Sequence, residues 1–83
     1  MRALILDGRE TAYEGEIYMA VLPGLDGEFS LLDFHQPFLY RLRRGIIKIK
    51  EKESAEGEGR LFPIKDGLAK FSGNSLVILC EIV

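Results

Sequence analysis

The chain has 83 residues, of which 47% are hydrophobic and 29% are charged, and its formal net charge is −2. These values are typical of one globular domain with a thin core, so we predict a single domain over residues 1–83 without a deep substrate pocket. The slightly negative charge argues against nucleic acid or an anionic membrane as the main partner. With one histidine and one cysteine, the chain lacks the ligands of a typical zinc or transition-metal site, and we predict no metal and no cofactor.

Short apolar runs bounded by Gly, Pro or charged residues predict β-strands along most of the chain. The first strands are predicted at Arg2–Asp7 and at residues 16–22, and a later one at residues 45–51. In Ile47-Lys48-Ile49-Lys50 the side chains alternate between apolar and cationic, which indicates a strand with one face on a core. The most apolar strand is predicted at residues 76–83. No run approaches the roughly 18 apolar residues of a membrane helix, so we expect no direct membrane insertion.

Turn signals separate these runs, and they lie at Pro23-Gly24, Arg44-Gly45, Asp66-Gly67 and Gly73-Asn74. Gly and Asn supply the positive φ values that tight hairpin turns require. The polar, Gly-rich residues 54–59 predict a hairpin loop and not a phosphate-binding loop, because no helix follows them. Since no window shows helical spacing, the residues predict an all-β domain, an antiparallel two-sheet β-sandwich or flattened barrel of short strands.

Candidate catalytic groups cluster in residues 26–37, which contain acidic side chains and His35. A hydrolase triad would need a nucleophile beside the histidine, and none of the available serines lies in a Gly-x-Ser-x-Gly pattern. We therefore predict no catalytic residue. Cys80 lies within an apolar run, where a thiol behaves as a small buried hydrophobe.

A basic cluster lies in the middle of the chain and has Phe38 and Tyr40 beside it, which raises the alternative of a single-stranded nucleic-acid platform. Its members are Arg41, Arg43, Arg44, Lys48, Lys50 and Lys52. Four nearby acids offset this charge, namely Glu51, Glu53, Glu56 and Glu58. We therefore favour a solvated strand face, or a patch that meets an acidic protein partner.

Several groups of residues, in order and together spanning most of the chain, resemble the N-terminal β domain of the ε subunit of F-type ATP synthases. The groups are Tyr13-Glu14-Gly15-Glu16, Leu22-Pro23-Gly24 with Gly27-Glu28-Phe29, His35 with Pro37 and Leu39, Gly45-Ile46-Ile47-Lys48-Ile49, and the closing residues 68–71, Gly73-Asn74 and 76–79. The chain departs from the usual family pattern at Asp33-Phe34, where the family has Pro-Gly. It also departs at Ser30 and at Asp66-Gly67.

The resemblance implies a non-catalytic central-stalk subunit that couples the rotor c ring to the γ subunit during proton-driven ATP synthesis. Such a subunit is peripheral, held through the complex at the cytoplasmic face of the energy-transducing membrane. Carried over by position, Asp26, Gly27 and Glu28 match the loop that contacts the c ring. The γ-facing residues are Phe34, His35, Phe38, Tyr40 and Arg41, and for Phe38 a core position is an equal alternative.

Family members usually continue beyond the β domain into a C-terminal helical hairpin that regulates the enzyme. Because the sequence ends at Val83, we expect coupling without inhibition by those helices and without ATP binding between them. The alternative function is a free-standing β-sandwich adaptor that binds other proteins. Exposed apolar partner surfaces also leave self-association of the isolated chain open.

Overall fold

The structure, a computed structural model, describes residues 1–54, 57 and 59–83. These residues form eight β-strands, and the described ranges contain no helix of the length and apolarity that a membrane span requires. The strands are β1 (Arg2–Asp7), β2 (Glu10–Glu16), β3 (Met19–Gly24), β4 (Gly27–Leu31), β5 (Phe38–Leu42), β6 (Gly45–Lys50), β7 (Arg60–Ser72) and β8 (Ser75–Ile82).

The strands make two layers that share β7. One layer has the order β2-β1-β8-β7-β5, and in the other β6 lies between β7 and β3, with β4 at the edge. Strand β7 is 13 residues long; its first half pairs with β6 and its second half with β5. A register shift between Ile64 and Asp66 marks the place where β7 passes from one layer to the other.

The predicted all-β sandwich is confirmed, with one departure from the predicted antiparallel pairing. Strands β1 and β8 run parallel, with Ala3 opposite Leu76 and Ile5 opposite Ile78. All other strand pairs among the described residues are antiparallel. A hairpin forces its two strands to be antiparallel, but β1 and β8 come from distant parts of the chain and carry no such constraint.

The core lies between the layers and is built from alternate side chains of the strands. In β6, Ile47 and Ile49 are fully buried while Lys48 and Lys50 lie on the other face, as the alternation predicted. Ala3 and Ile5 of β1 are buried in the same way. Cys80, predicted to be buried, is only half-buried at the margin of the core, and this partial burial raises the pKa of its thiol.

The predicted strand at residues 16–22 is wrong in its extent, because it spans the end of β2 and the start of β3. The chain passes between the two layers at this point. Ile17 donates its backbone N–H to the carbonyl of Met1 at 2.8 Å, and Tyr18 donates to the carbonyl of Lys50, also at 2.8 Å. Since Ile17 is itself buried, the apolar run in the sequence continues across a gap between two strands.

Two of the predicted turns are wrong. Pro23 and Gly24 end strand β3, and the turn follows at Leu25-Asp26. Pro23 lies opposite Glu28, and on its other side its carbonyl accepts the N–H of Arg43 at 2.9 Å. The predicted turn at Asp66-Gly67 lies instead inside β7, beside the register shift.

The other predicted turns agree with the structure. Arg44 lies in the connection between β5 and β6. Gly73 and Asn74 join β7 to β8 with φ values of 56° and 55°, as in the hairpin turns that need two left-handed residues. The predicted hairpin loop at residues 54–59 includes Ala55, Glu56 and Glu58, which lie outside the described residues.

Side chains close the edge of the sandwich next to β2. The ring of Tyr13 lies 5.8 Å from the ring of Phe62, and the guanidinium of Arg60 lies 5.2 Å from the centre of the Tyr13 ring. The Tyr13 hydroxyl donates a hydrogen bond to Glu51 at 2.9 Å. Burial, with this hydrogen bond and the nearby carboxylate, raises the pKa of Tyr13. These side chains therefore cover the core at this margin of the sandwich.

Candidate partner-contact site

The opposite edge of the sandwich is open, and the opening is a groove between β4 and β5. Strand β4 pairs only with β3 among the described residues. Strand β5 pairs with β7 along its length but meets β3 only where Leu42 lies opposite Gly24. The facing edges of β4 and β5 thus carry backbone groups without strand partners, and such an edge is available to another chain.

The groove has a volume of about 470 Å³, and both predicted contact sets line it. One wall is the stretch 24–30, which contains Asp26, Gly27 and Glu28. The other wall contains His35, Tyr40 and Arg41. The structure therefore brings together residues that were predicted to meet two different partners. Phe34 and Phe38 are outside this lining.

Aromatic side chains fill the interior beneath the groove. Phe29 of β4 meets Phe38 and Tyr40 of β5 across the sandwich, with ring centres 5.7 Å and 5.2 Å apart. Phe38 also stacks on Phe71 at 5.8 Å. Phe38 is half-buried against the core, which supports the core position over the interface position among its two predicted alternatives. Tyr40 is half exposed.

The hairpin between β3 and β4 projects acidic side chains at one end of the groove. Gly24 is required at its base, because a Cβ there would lie 2.7 Å from the carbonyl oxygen of Gly27 and 2.9 Å from the ring of Phe29. Glu28 is exposed, and so is Asp26. Within the part of the chain that the structure describes, neither carboxylate has an ion-pair partner. Their charges are thus available to an external cation.

His35 and Arg41 both make contacts inside the domain. The Nδ1 atom of His35 lies 2.8 Å from the backbone carbonyl oxygen of Gln36, and its ring packs edge-on against Phe38 at 5.5 Å. Arg41 donates two hydrogen bonds of 3.3 Å to the carboxylate of Asp66. This contact, with the Gly67 N–H, holds the pKa of Asp66 below its ordinary value. The charge of Arg41 is therefore already partly neutralised.

The turn at the other end of β4 is tied to distant parts of the chain. Phe34 has a φ of 60°, its side chain is 83% exposed, and its N–H donates to Oδ1 of Asn74 at 2.8 Å. The buried amino group of Met1 donates to Oδ1 of Asp33 at 2.5 Å. That hydrogen bond holds the pKa of Asp33 below its ordinary value. Sequence reasoning missed Met1 and Asn74, because no local pattern joins them to residues 33–34.

The site has the character of a binding surface. Ser30 and His35 both line the groove, but His35 contacts the backbone of Gln36 and no Ser30–His35 hydrogen bond is found. Among the described residues, no group of three His, Cys, Asp or Glu side chains is placed to hold a metal ion. What the groove combines is an open strand edge, aromatic side chains and uncompensated acidic charge, which is a set of features that suits protein partners.

Comparison with known proteins gives a consistent set of relatives. Residues 1–83 match the family model described as ATP synthase, Delta/Epsilon chain, beta-sandwich domain. The chain is 30% identical over 79 residues to the ATP synthase epsilon chain of Chlorobium limicola and 33% identical over 79 residues to that of Caulobacter vibrioides. Each alignment covers 95% of this chain and 86% of the relative. The match to the Bordetella avium epsilon chain is 31% over 77 residues, covering 93% of this chain and 52% of the relative.

Two solved structures share the fold. The first is from the central stalk and c ring of the Tetrahymena thermophila mitochondrial ATP synthase, with a TM-score of 0.80 and 13% identity, covering 98% of this chain and 63% of that one. The second is from the Euglena gracilis mitochondrial ATP synthase, with a TM-score of 0.82 and 17% identity, covering 98% of this chain and 51% of that one. At these identities the likeness is evidence for the fold alone.

Proposed function

The chain belongs to the delta/epsilon β-sandwich family of ATP synthase subunits, and on that premise we propose that it couples the rotor c ring to the γ subunit in the central stalk. The match of the family over residues 1–83 carries this proposal. As an epsilon-type chain it is a non-catalytic subunit, and the groove, which presents contact groups and no nucleophile with a base, is in keeping with that role.

The c ring takes the hairpin side of the site, through Asp26, Gly27 and Glu28. The support for this assignment is that both carboxylates are exposed and uncompensated by the described residues. A carboxylate at a loop tip gains a charge-assisted hydrogen bond when it meets a cationic or amide side chain of a polar loop. The ring contact is therefore expected to weaken with salt.

The γ subunit takes the side formed by Phe34, His35, Phe38, Tyr40 and Arg41. Strand β4 lies between Asp26 and Asp33, and at about 3.3 Å per residue it separates the hairpin from the Phe34 turn by roughly 15 Å. When the hairpin faces the ring, the turn at the far end of β4 points away from it, so the separation of the two contacts depends on Phe34; Arg41 lies beside the hairpin, where its carbonyl accepts the Leu25 N–H at 3.0 Å. Exposed aromatic side chains on that side suit the apolar centre of a protein interface.

The subunit is held at the membrane through its partners. The described residues contain no membrane-spanning helix, and its relatives are chains of a membrane-associated complex. We place it at the cytoplasmic face of the energy-transducing membrane, where the foot of the central stalk meets the ring.

Depletion and add-back in inverted membrane vesicles test the proposal. Vesicles without this chain should lose proton-driven ATP synthesis, and purified chain should restore it, because without it the turning ring no longer drives the stalk. ATP hydrolysis by the catalytic subunits should continue both in the depleted vesicles and after add-back. This measurement is the control for a non-catalytic role. Synthesis that is unaffected by depletion would refute the proposal. So would a chain that brings down neither γ nor the c ring, the result expected of a free-standing adaptor.

A further inference from the structure

Phe34 occupies a backbone conformation that folding alone does not favour for phenylalanine. Its φ of 60° places it in the left-handed region, which disfavours residues with a Cβ and suits glycine. Its side chain is 83% exposed, so burial within the domain gives almost no compensation. A glycine would hold the same turn without the steric penalty and without an exposed aromatic ring.

Side chains from two other parts of the fold hold this turn in place. Asn74, which lies 40 positions further along the chain, accepts the Phe34 N–H at 2.8 Å through Oδ1. Its Nδ2 atom lies 3.5 Å from Oδ1 of Asp33, and the same oxygen accepts a hydrogen bond from the Met1 amino group at 2.5 Å. Asn74 itself has a left-handed backbone conformation, with a φ of 55°. The β7–β8 turn thus fixes the backbone of the Asp33–Phe34 turn, and with it the direction of the Phe34 Cα–Cβ bond.

We infer that Asp33 and Asn74 are positioning residues that hold Phe34 ready as the aromatic anchor for an apolar pocket on the γ subunit. The inference rests on the proposed function. A backbone that hydrogen bonds already hold in place loses little conformational freedom on binding, and such preorganisation of the turn that carries an aromatic anchor increases affinity. The γ subunit is the occupant because the turn lies at the end of β4 opposite the acidic hairpin and next to His35, whose ring packs on Phe38.

The Phe34→Gly variant separates binding from folding. Glycine keeps the left-handed turn, so the melting temperature of the domain should stay the same or rise. The affinity for purified γ subunit of the same organism, measured by calorimetry, should fall by about 10-fold or more, as expected for an interface anchor. Unchanged affinity for γ would overturn the inference. Leu61→Ala is the matched control, since Leu61 is also an exposed apolar residue and lies at the far end of β7 from Asn74; its affinity should match that of the parent chain.

The Asn74→Gly variant tests whether Asn74 acts through Phe34. Glycine tolerates the φ of 55°, so the hairpin turn is kept while the amide is lost. Affinity for γ should fall in the parent chain and should not fall further in Phe34→Gly, because non-additivity of this kind reports a shared interaction. An equal loss in both backgrounds would show that Asn74 contributes independently and would overturn the positioning role.

The same measurements distinguish this inference from the proposed function. A parent chain that binds neither γ nor the c ring refutes the proposed function itself. A parent chain that binds γ as tightly as Phe34→Gly does refutes only the anchor. Phe34→Gly could instead lose affinity for the c ring, or lose self-association, while its affinity for γ is unchanged. In either case the Phe34 side chain contacts a different partner and the inference is wrong.

Discussion

The two ends of β4 each present an aspartate, and the two carboxylates differ in their contacts within the domain. Asp26, in the hairpin before β4, has no ion-pair partner among the described residues. Asp33, in the turn after β4, accepts hydrogen bonds from the Met1 amino group and from Asn74. Internal contacts therefore distinguish an exposed acid that is bound within the fold from one whose charge is left uncompensated. The hairpin end should tolerate changes of charge, whereas the turn end should not.

The largest effect is expected at the turn end, where Phe71 supports the aromatic cluster. Phe71 is 1% exposed and stacks on Phe38 at 5.8 Å, with the His35 ring 6.3 Å away. Phe71→Ala should lower the free energy of unfolding by about 3–5 kcal/mol, because it leaves a cavity in the core. Urea titration followed by circular dichroism measures this loss.

Leu39→Ala is the control for that experiment. Leu39 lies on β5 opposite Lys70 of β7, and its side chain is 64% exposed. Its replacement should change stability by no more than about 0.5 kcal/mol. A loss for Phe71→Ala as small as this would show that the aromatic cluster adds little to the fold and that the two ends of β4 are supported alike.

The hairpin end has one position where the backbone, and not charge, sets the limit. Gly24→Ala would bring a Cβ to 2.7 Å from the Gly27 carbonyl oxygen and to 2.9 Å from the Phe29 ring. We expect a loss of about 1–3 kcal/mol from this crowding, with displacement of Phe29 from Tyr40. Thermal unfolding measures the loss, and Ser30→Ala, an exposed change on β4, should leave the midpoint unchanged. Equal midpoints for both variants would contradict the requirement for glycine.

The difference between the ends of β4 also explains which features the sequence could predict. Strand β6 was predicted closely because Ile47 and Ile49 alternate with lysines at the period of a strand, and β1 because its short apolar run is bounded by charged residues. The run at residues 16–22 failed because Ile17 is buried where the chain crosses between layers. An apolar residue in the sequence indicates burial, whether it lies in a strand or in a segment that connects two layers. The sequence pattern alone therefore cannot distinguish the two cases.

The residues of the candidate site were proposed from the sequence, whereas their arrangement in space was not. The family resemblance led to Glu28 and His35, and the structure places both at one groove. The contacts of Met1 and Asn74 with residues 33–34 could not be predicted, because they join positions 32 and 40 residues apart. Such contacts depend on the packing of the two layers and leave no local signal in the sequence.

Acid should remove the contribution of Asp33. Because the folded-state pKa of Asp33 lies below its ordinary value of 3.8, its stabilisation is fully present above that pH and is lost as the pH falls through the folded pKa. Asp33→Asn should therefore melt at a lower temperature than the parent chain at pH 7, and the two melting temperatures should converge as the pH drops below 3.8. Calorimetric scans from pH 7 to about pH 2.5 test this. Asp26→Asn is the control, and its melting temperature should match that of the parent chain. A difference in melting temperature between Asp33→Asn and the parent chain that persists at low pH would contradict the ion pair with Met1.

The smallest effect on stability is expected for Glu28→Gln, and this variant separates partner binding from folding most cleanly. Glu28 is exposed and has no ion-pair partner among the described residues. The free energy of unfolding of the variant should therefore stay within about 0.5 kcal/mol of that of the parent chain. Binding to purified c ring should weaken roughly 10-fold at low salt, since a charge-assisted hydrogen bond is lost. The difference from the parent should shrink as salt is added, because salt screens exposed charges. Glu10→Gln, an exposed change at the start of β2, is the charge-matched control. Equal weakening in both variants would mean that net charge, and not the position of Glu28 at the hairpin, governs the contact with the ring.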